Sequence, residues 1–141
     1  MYQKDYILRM IAMIIKFIGE VLGLIKKGDL KKASDQLQEG YRIFLKEDAA
    51  FFRTIPEEKL TQNLLREHNY TNGHLEILAE LFNAEAELSL AQGNRAESLE
   101  YYRKSLLLFE FVDAEQKTYS RDRINKIESI KMRISGLSLN K

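Results

Sequence analysis

Two stretches of equal length decide the fold: residues 24–44 read LIKKGDLKKASDQLQEGYRIF, and residues 89–109 read SLAQGNRAESLEYYRKSLLLF. In each, one glycine is followed at offsets +5, +9 and +12 by a small, a bulky and a small residue. The matching pairs are Gly28 and Gly93, Ala33 and Ser98, Leu37 and Tyr102, and Gly40 and Ser105. Glycine accepts the left-handed backbone that ends a helix, and small side chains let two helices touch. The pattern predicts two antiparallel helical hairpins, near 12–46 and near 79–112.

This arrangement resembles the tetratricopeptide repeat, a helix pair with a glycine turn followed by small, aromatic and small positions. The resemblance extends upstream of the glycines to Phe82 and Ala86, and to Phe17 and Val21. The family's proline after the second helix is missing from both copies. The resemblance implies a scaffold that binds other proteins and has no catalytic chemistry of its own.

A second resemblance covers residues 2–11, YQKDYILRMI, and runs on to Gly28 and Asp29. This segment is similar to a family of small, uncharacterised bacterial proteins that are all-helical. The resemblance implies an all-α fold and a cytoplasmic location, and it supplies no site residues.

Helical signals fill the remainder of the chain, and no alternation long enough for a strand interrupts them. We therefore predict an all-α fold of about six helices in a single domain spanning 1–141. The C-terminal helix is expected over 113–136. The predicted core consists of Ile11, Ile14, Ile18, Leu22, Leu37, Phe44, Phe82, Leu99, Tyr102 and Leu106.

Capping residues mark two of the expected helix starts. Asp29 follows the first glycine turn and is expected to cap the second helix with its carboxylate. Thr54 and Glu57, with Pro56 between them, match a capping box. That box predicts a helix running to about His68.

The composition bounds the class of protein. With 141 residues, 45% of them hydrophobic and 30% charged, the chain is long enough to form one hydrophobic core. Its 22 basic and 21 acidic residues leave a net charge of +1, which argues against a nucleic-acid partner. The absence of cysteine excludes disulfides and cysteine-ligated metal sites.

The first predicted helix is mostly apolar. The charged residues between its positions 7 and 25 are Arg9, Lys16 and Glu20. Helical spacing places them on one stripe, which would be costly to insert into lipid, so no membrane partner is predicted. We expect a long helix buried over most of its circumference. Gly19 and Gly23 predict a tight crossing with another helix of the same chain, and a seam between two copies is the alternative.

No residue pattern predicts a catalytic, cofactor or metal site. The two histidines, His68 and His74, lack the helical spacing that metal ligation needs and are expected at helix ends. The serines on predicted helices have no histidine and aspartate nearby in the sequence to activate them. We therefore predict that the protein is not an enzyme.

An acidic stripe on the fourth predicted helix is the candidate partner-binding site. It consists of Glu76, Glu80, Asn83 and Glu87, which helical spacing brings to one face. In one interpretation this face is merely solvated, and the C-terminal helix packs an apolar seam on the preceding helix. That seam consists of Ile127, Ile130, Ile134 and Leu137. In the other interpretation the stripe lines a groove for a basic helix or peptide, which would explain why repelling charges share one face.

These patterns lead to one leading hypothesis and two alternatives. The chain is predicted to be a non-enzymatic, cytoplasmic protein–protein interaction module whose helical groove lies near the acidic stripe. Its partner is a protein or peptide, and a basic one fits the stripe best. The first alternative is a structural homo-oligomer that forms through the N-terminal or the C-terminal helix. The second is an enzyme or small-molecule binder with an unrecognised pocket.

Overall fold

Tight glycine turns join the long helices into pairs. In the computed structural model, which describes residues 2–116 and 120–139, the backbone φ is +86° at Gly28 and +84° at Gly93. The amide that follows each glycine donates to a carbonyl oxygen five residues back, which closes the helix end. Glycine is required at these two positions because other residues rarely adopt this backbone conformation. The two predicted turns are confirmed.

The described residues form seven α-helices and contain no strand, so the all-α class is confirmed. The helices are α1 (Tyr2–Lys27), α2 (Leu30–Gly40), α3 (Ala49–Arg53), α4 (Leu60–Gln62), α5 (Asn72–Ala91), α6 (Arg95–Glu115) and α7 (Arg121–Leu139). The π-helical turns Tyr41–Leu45 and Asn63–Glu67 continue α2 and α4, and the 3₁₀ turn Glu57–Lys59 precedes α4. The count exceeds the expected six because α3 is a separate short helix.

Helix α5 lies at the centre of the domain, against α1, α2 and α6. More than half of its residues are buried. The small residues of the repeated pattern lie where α6 crosses it. Ser98 donates to the carbonyl oxygen of Ala86 at 2.8 Å, and Ser105 donates to that of Ala79 at 2.7 Å. The pattern therefore marks the contact between the paired helices, as predicted.

The segment between the two hairpins is anchored by aromatic side chains. The rings of Tyr41 and Phe52 stack with their centroids 5.8 Å apart, and the ring of Tyr70 lies 6.3 Å from that of Phe52. The Tyr70 hydroxyl also donates to the carbonyl oxygen of Leu45 at 2.7 Å. These contacts attach α3 and α4 to the core cluster.

Two capping predictions are wrong. The Thr54 hydroxyl donates back to the carbonyl oxygen of Phe51 at 2.9 Å, and the chain enters its 3₁₀ turn only after Pro56. No capping box forms at Glu57, because the N-cap of this turn is Pro56, whose side chain cannot accept a hydrogen bond. Asp29 makes no side-chain capping bond to α2.

The predicted start of the C-terminal helix is also wrong. Residues 113–115 continue α6, and α7 begins at Arg121 and runs to Leu139, past the expected end at 136. The Ser120 hydroxyl oxygen accepts from the amide of Arg123 at 3.2 Å, which explains this start, because a serine at this position caps a helix.

Helix α1 is far more exposed than expected. Its buried side chains, among those described, are Ile14, Ile18 and Val21. Leu8 is 56% exposed, Met13 54% and Ile15 45%, because α2 and α5 contact only one side of this helix. Gly19 and Gly23 are exposed, and no neighbouring atom lies within 4 Å of an added Cβ at either position. The predicted internal crossing at these glycines is therefore wrong.

The core agrees better with expectation. Six predicted core residues are buried, namely Ile14, Ile18, Leu37, Phe44, Phe82 and Tyr102. Ile11, Leu22 and Leu106 are partly buried against them. Leu99 is partly exposed on the second turn of α6 and lies outside the core cluster.

We predict that Gly40→Ala lowers the free energy of unfolding by about 1–3 kcal/mol, because its Cβ would overpack the core. That atom would lie 2.7 Å from the Phe17 ring and 3.3 Å from the Leu81 side chain. Gly19→Ala adds a methyl group in open space on a helix and should raise the free energy of unfolding by about 0.5–1 kcal/mol. Urea denaturation measures both values, and equal changes in the two variants would contradict this packing.

Candidate functional site

The acidic stripe forms the floor of a furrow between α1 and α7. Helix α1 packs on α5, whereas α7 packs mainly on α6, so the two outer helices lie on either side of the stripe. All four predicted site residues line cavities in this furrow. We call it the α1–α7 groove.

Three cavities follow one another along the groove. The first, of about 500 Å³, is lined by residues including Ile7, Leu8, Glu76 and Arg123. The second, of about 390 Å³, is lined by residues including Ile15, Glu80, Asn125 and Ser129. The third, of about 510 Å³, is lined by residues including Leu22, Lys26, Asn83, Glu87 and Arg133. Residue numbers on α1, α5 and α7 increase together, so the three helices run in the same direction.

Cations of α7 neutralise the three glutamates of the stripe. Lys126 Nζ lies 2.6 Å from Glu80 Oε1. Arg133 pairs with Glu87 at 3.3 Å, and Arg123 pairs with Glu76 at 3.6 Å. Arg123 also pairs with Asp113 of α6, at 2.9 Å. Each acidic residue of the floor is thus matched by one basic residue of the same chain.

The first interpretation is half right: the C-terminal helix packs its apolar seam on the preceding helix, as predicted, but the stripe is not a solvated face. The Glu80 side chain is only 5% exposed, and Glu76 is largely buried as well. Burial raises the pKa of the Glu76 carboxyl, and the nearby Arg123 guanidinium offsets part of that rise. The stripe lines a groove, and the basic helix beside it is α7 itself.

Asn83 differs from the three glutamates. Its side-chain amide makes no hydrogen bond or ion pair with any residue in the described ranges, and it borders the third cavity. An amide offers both a donor and an acceptor. Glu87, one turn further along, accepts a hydrogen bond from the Tyr102 hydroxyl in addition to its pairing with α7. Asn83 is therefore the floor residue whose side-chain amide no other described residue engages.

The α1 wall of the groove is apolar. Leu8 and Ile15, two helical turns apart, line the first and second cavities and are half-exposed. Gly19 and Gly23 extend the same side of α1, where no side chain fills the space. This surface could not be predicted from the sequence, because an almost wholly apolar helix gives no sign of which apolar face remains uncovered.

A second polar cluster lies on the opposite side of α5. The Arg53 guanidinium donates to Glu85 Oε2 at 3.3 Å and to the Tyr101 hydroxyl at 2.6 Å. The other Glu85 oxygen is buried and has no hydrogen-bond partner among the described residues, and the same holds for the Tyr41 hydroxyl. None of these four residues lines any of the five cavities described for the molecule. The sequence signal that could have indicated this cluster is Glu85, a glutamate among apolar residues on the face of α5 opposite the stripe.

The two histidines take up local positions at helix ends. His68 Nε2 lies 3.1 Å from Glu47 Oε2, and His74 Nδ1 accepts from the amide of Thr71 at 3.1 Å. Burial lowers the pKa of the His74 imidazole. Within residues 2–116 and 120–139, no three histidine, aspartate or glutamate side chains converge as metal ligands would.

None of the helices in the described part of the chain combines the length and the hydropathy needed to span a bilayer.

We predict that Glu85 makes the free energy of unfolding fall as pH rises above about 4.5. Burial raises the pKa of the Glu85 carboxyl, and Arg53 offsets only part of that effect. The folded protein therefore holds this proton more tightly than the unfolded chain does, and stability is lost as pH rises through the raised pKa. In Glu85→Gln, which keeps an oxygen for Arg53, this part of the fall should disappear. Urea denaturation at about pH 4 and pH 7 gives the free energy of unfolding of both proteins. An equal change between the two pH values in wild type and in Glu85→Gln would contradict the prediction.

Comparisons with known proteins add no information about the groove. No family model, no curated protein and no solved structure matches the chain.

Proposed function

We propose that the chain is a non-enzymatic protein–protein interaction module that binds a helix of a partner protein in the α1–α7 groove. The observation that carries this proposal is the open apolar wall of α1. Leu8 and Ile15 are about half exposed, and Gly19, one turn after Ile15, has no neighbouring atom within 4 Å of an added Cβ. A tetratricopeptide-like scaffold and a cytoplasmic, bacterial setting belong to the same proposal, on the resemblances of the two hairpins and of residues 2–11.

The groove has the dimensions of a helix site. From Ile7 to Lys26, the α1 residues at its two ends, the helix rises about 28 Å. A partner helix of about five turns would span that length. Amphipathic helices commonly dock in such grooves through apolar residues on one face.

The glycines of α1 favour close approach. A glycine inside a helix costs about 1 kcal/mol of stability relative to alanine, and Gly19 and Gly23 have no neighbour in the fold that requires it. A partner helix could lie closer to the α1 backbone there, as helices do at small-residue contacts. Burial of the exposed part of Leu8 or Ile15 would contribute on the order of 1 kcal/mol each.

The groove floor would supply specificity. Asn83 has a free amide, so a polar side chain of the partner helix can form two hydrogen bonds with it. The glutamates around it are held by α7, which fixes the shape of the floor.

We predict that Leu8→Glu/Ile15→Glu abolishes partner binding without unfolding the protein. Both side chains are about half exposed, so stability should change by only about 0.5 kcal/mol per site. The experiment is affinity capture from the source cell's lysate, followed by titration of the purified partner. The partner should bind wild type and lose at least about tenfold in affinity with the variant.

The matched control is Met13→Glu/Ile43→Glu, which places the same charges on side chains 54% and 51% exposed outside the groove. It should bind like wild type. Equal loss in both variants, or equal binding by all three proteins, would contradict the proposal.

Self-association is the second candidate function, because the same apolar wall of α1 could be covered by another copy of the chain. Light scattering at rising concentration separates the two: a wild-type dimer dispersed by Leu8→Glu/Ile15→Glu would favour the homo-oligomer. An enzyme or small-molecule binder has less support, since neither Arg53 nor the buried residues Glu85 and Tyr101 line the cavities described.

A further inference from the structure

The acidic floor of the groove carries little free charge. Its glutamates are paired one to one with Arg123, Lys126 and Arg133 of α7. A basic partner would have to displace these cations, the closest of which lies 2.6 Å from its carboxylate. The charge that a partner meets must therefore come from other residues.

The remaining charge along α1 is mainly positive. Lys26 lines the third cavity, and Arg9 and Lys16 lie on the next strip of the helix, beyond Gly19 and Gly23. None of these three cations pairs with a described residue. Three acidic residues nearby also lack an ion pair with any described residue: Glu20 on the outer strip of α1, Asp122 beside the second cavity, and Glu128 on the outer side of α7.

On the basis of the proposed function, we infer that the partner helix is acidic along the edge that faces α1. Its apolar face packs on Leu8 and Ile15, and its carboxylates reach the ammonium groups of Lys16 and Lys26. Because these lysines are ten positions apart, they are separated by about 15 Å along α1. The matching carboxylates would then lie about three helical turns apart.

Charge complementarity selects the partner more than it tightens the complex. Ion pairs at an exposed groove edge contribute little affinity, but they speed association and disfavour partners of like charge. The apolar wall of α1 would bind many amphipathic helices, and its lysines would discriminate among them. The binding should accordingly weaken as salt rises.

A displayed library of helical 20-residue peptides tests this inference directly. The apolar face is fixed, and the remaining positions vary among Glu, Lys, Gln and Ala. Peptides sorted on wild type should be enriched in Glu at two positions about three turns apart. Lys16→Glu/Lys26→Glu should weaken these peptides about tenfold at low salt and should itself select lysine-rich ones.

The matched control is Lys59→Glu/Arg95→Glu, which reverses two exposed charges on other elements. It should bind the selected peptides within about twofold of wild type. Leu8→Glu/Ile15→Glu serves as the groove-blocked protein.

The outcomes separate the two proposals. Neutral or basic peptides that require Leu8 and Ile15 would overturn the inference and leave the proposed function standing. Acidic peptides that still bind the groove-blocked protein would overturn the inference by placing the contact elsewhere. Failure to enrich any peptide above the groove-blocked protein would overturn the proposed function itself.

Discussion

The row of ion pairs between α5 and α7 is the constraint on which the rest of the structure depends. Helix α5 is buried between α1, α2 and α6, and its remaining face carries three glutamates. A glutamate as enclosed as Glu80 is tolerated only with a charge partner. Lys126 supplies it, and the apolar residues Ile127 and Ile130 hold that lysine in place by packing against the core. The position of α7 is thus set by charge on one side and by apolar packing on another.

The groove follows from this arrangement. Because α7 packs on α6 and α1 packs on α5, the two outer helices flank α5 without closing over it. The wall on the α7 side is polar and bound to the floor, whereas the wall on the α1 side keeps Leu8 and Ile15 exposed. In the proposed complex, a partner would gain apolar contact from α1, and α7 would fix the shape of the groove. The proposed contact surface is thus the α1 wall rather than the acidic stripe.

Features of the fold and of the groove that follow from local periodicity could be predicted from the sequence. Features that depend on tertiary packing could not. Gly28 and Gly93 end helices for reasons confined to a few residues, so both turns could be read from the sequence. The acidic stripe could be read for the same reason, but its pairing with α7 depends on contacts across some 46 positions. The exposure of α1 was missed because its apolar residues surround the helix, and only the number of packed neighbours decides which face is covered. The capping box at Thr54 failed because the helical turn has its N-cap at Pro56, two residues after Thr54.

A double-mutant cycle on Glu80 and Lys126 tests directly whether the acidic floor of the groove holds α7 in place. Glu80→Ala, Lys126→Ala and the double variant are compared by urea denaturation, and Lys31 with Asp35, an exposed pair at 3.2 Å, provides the reference cycle. We predict a coupling energy of about 1–3 kcal/mol for Glu80 and Lys126 and about 0.5 kcal/mol or less for the reference pair. A coupling no larger than that of the reference pair would contradict this prediction, because α7 would then not be held by the acidic floor of the groove.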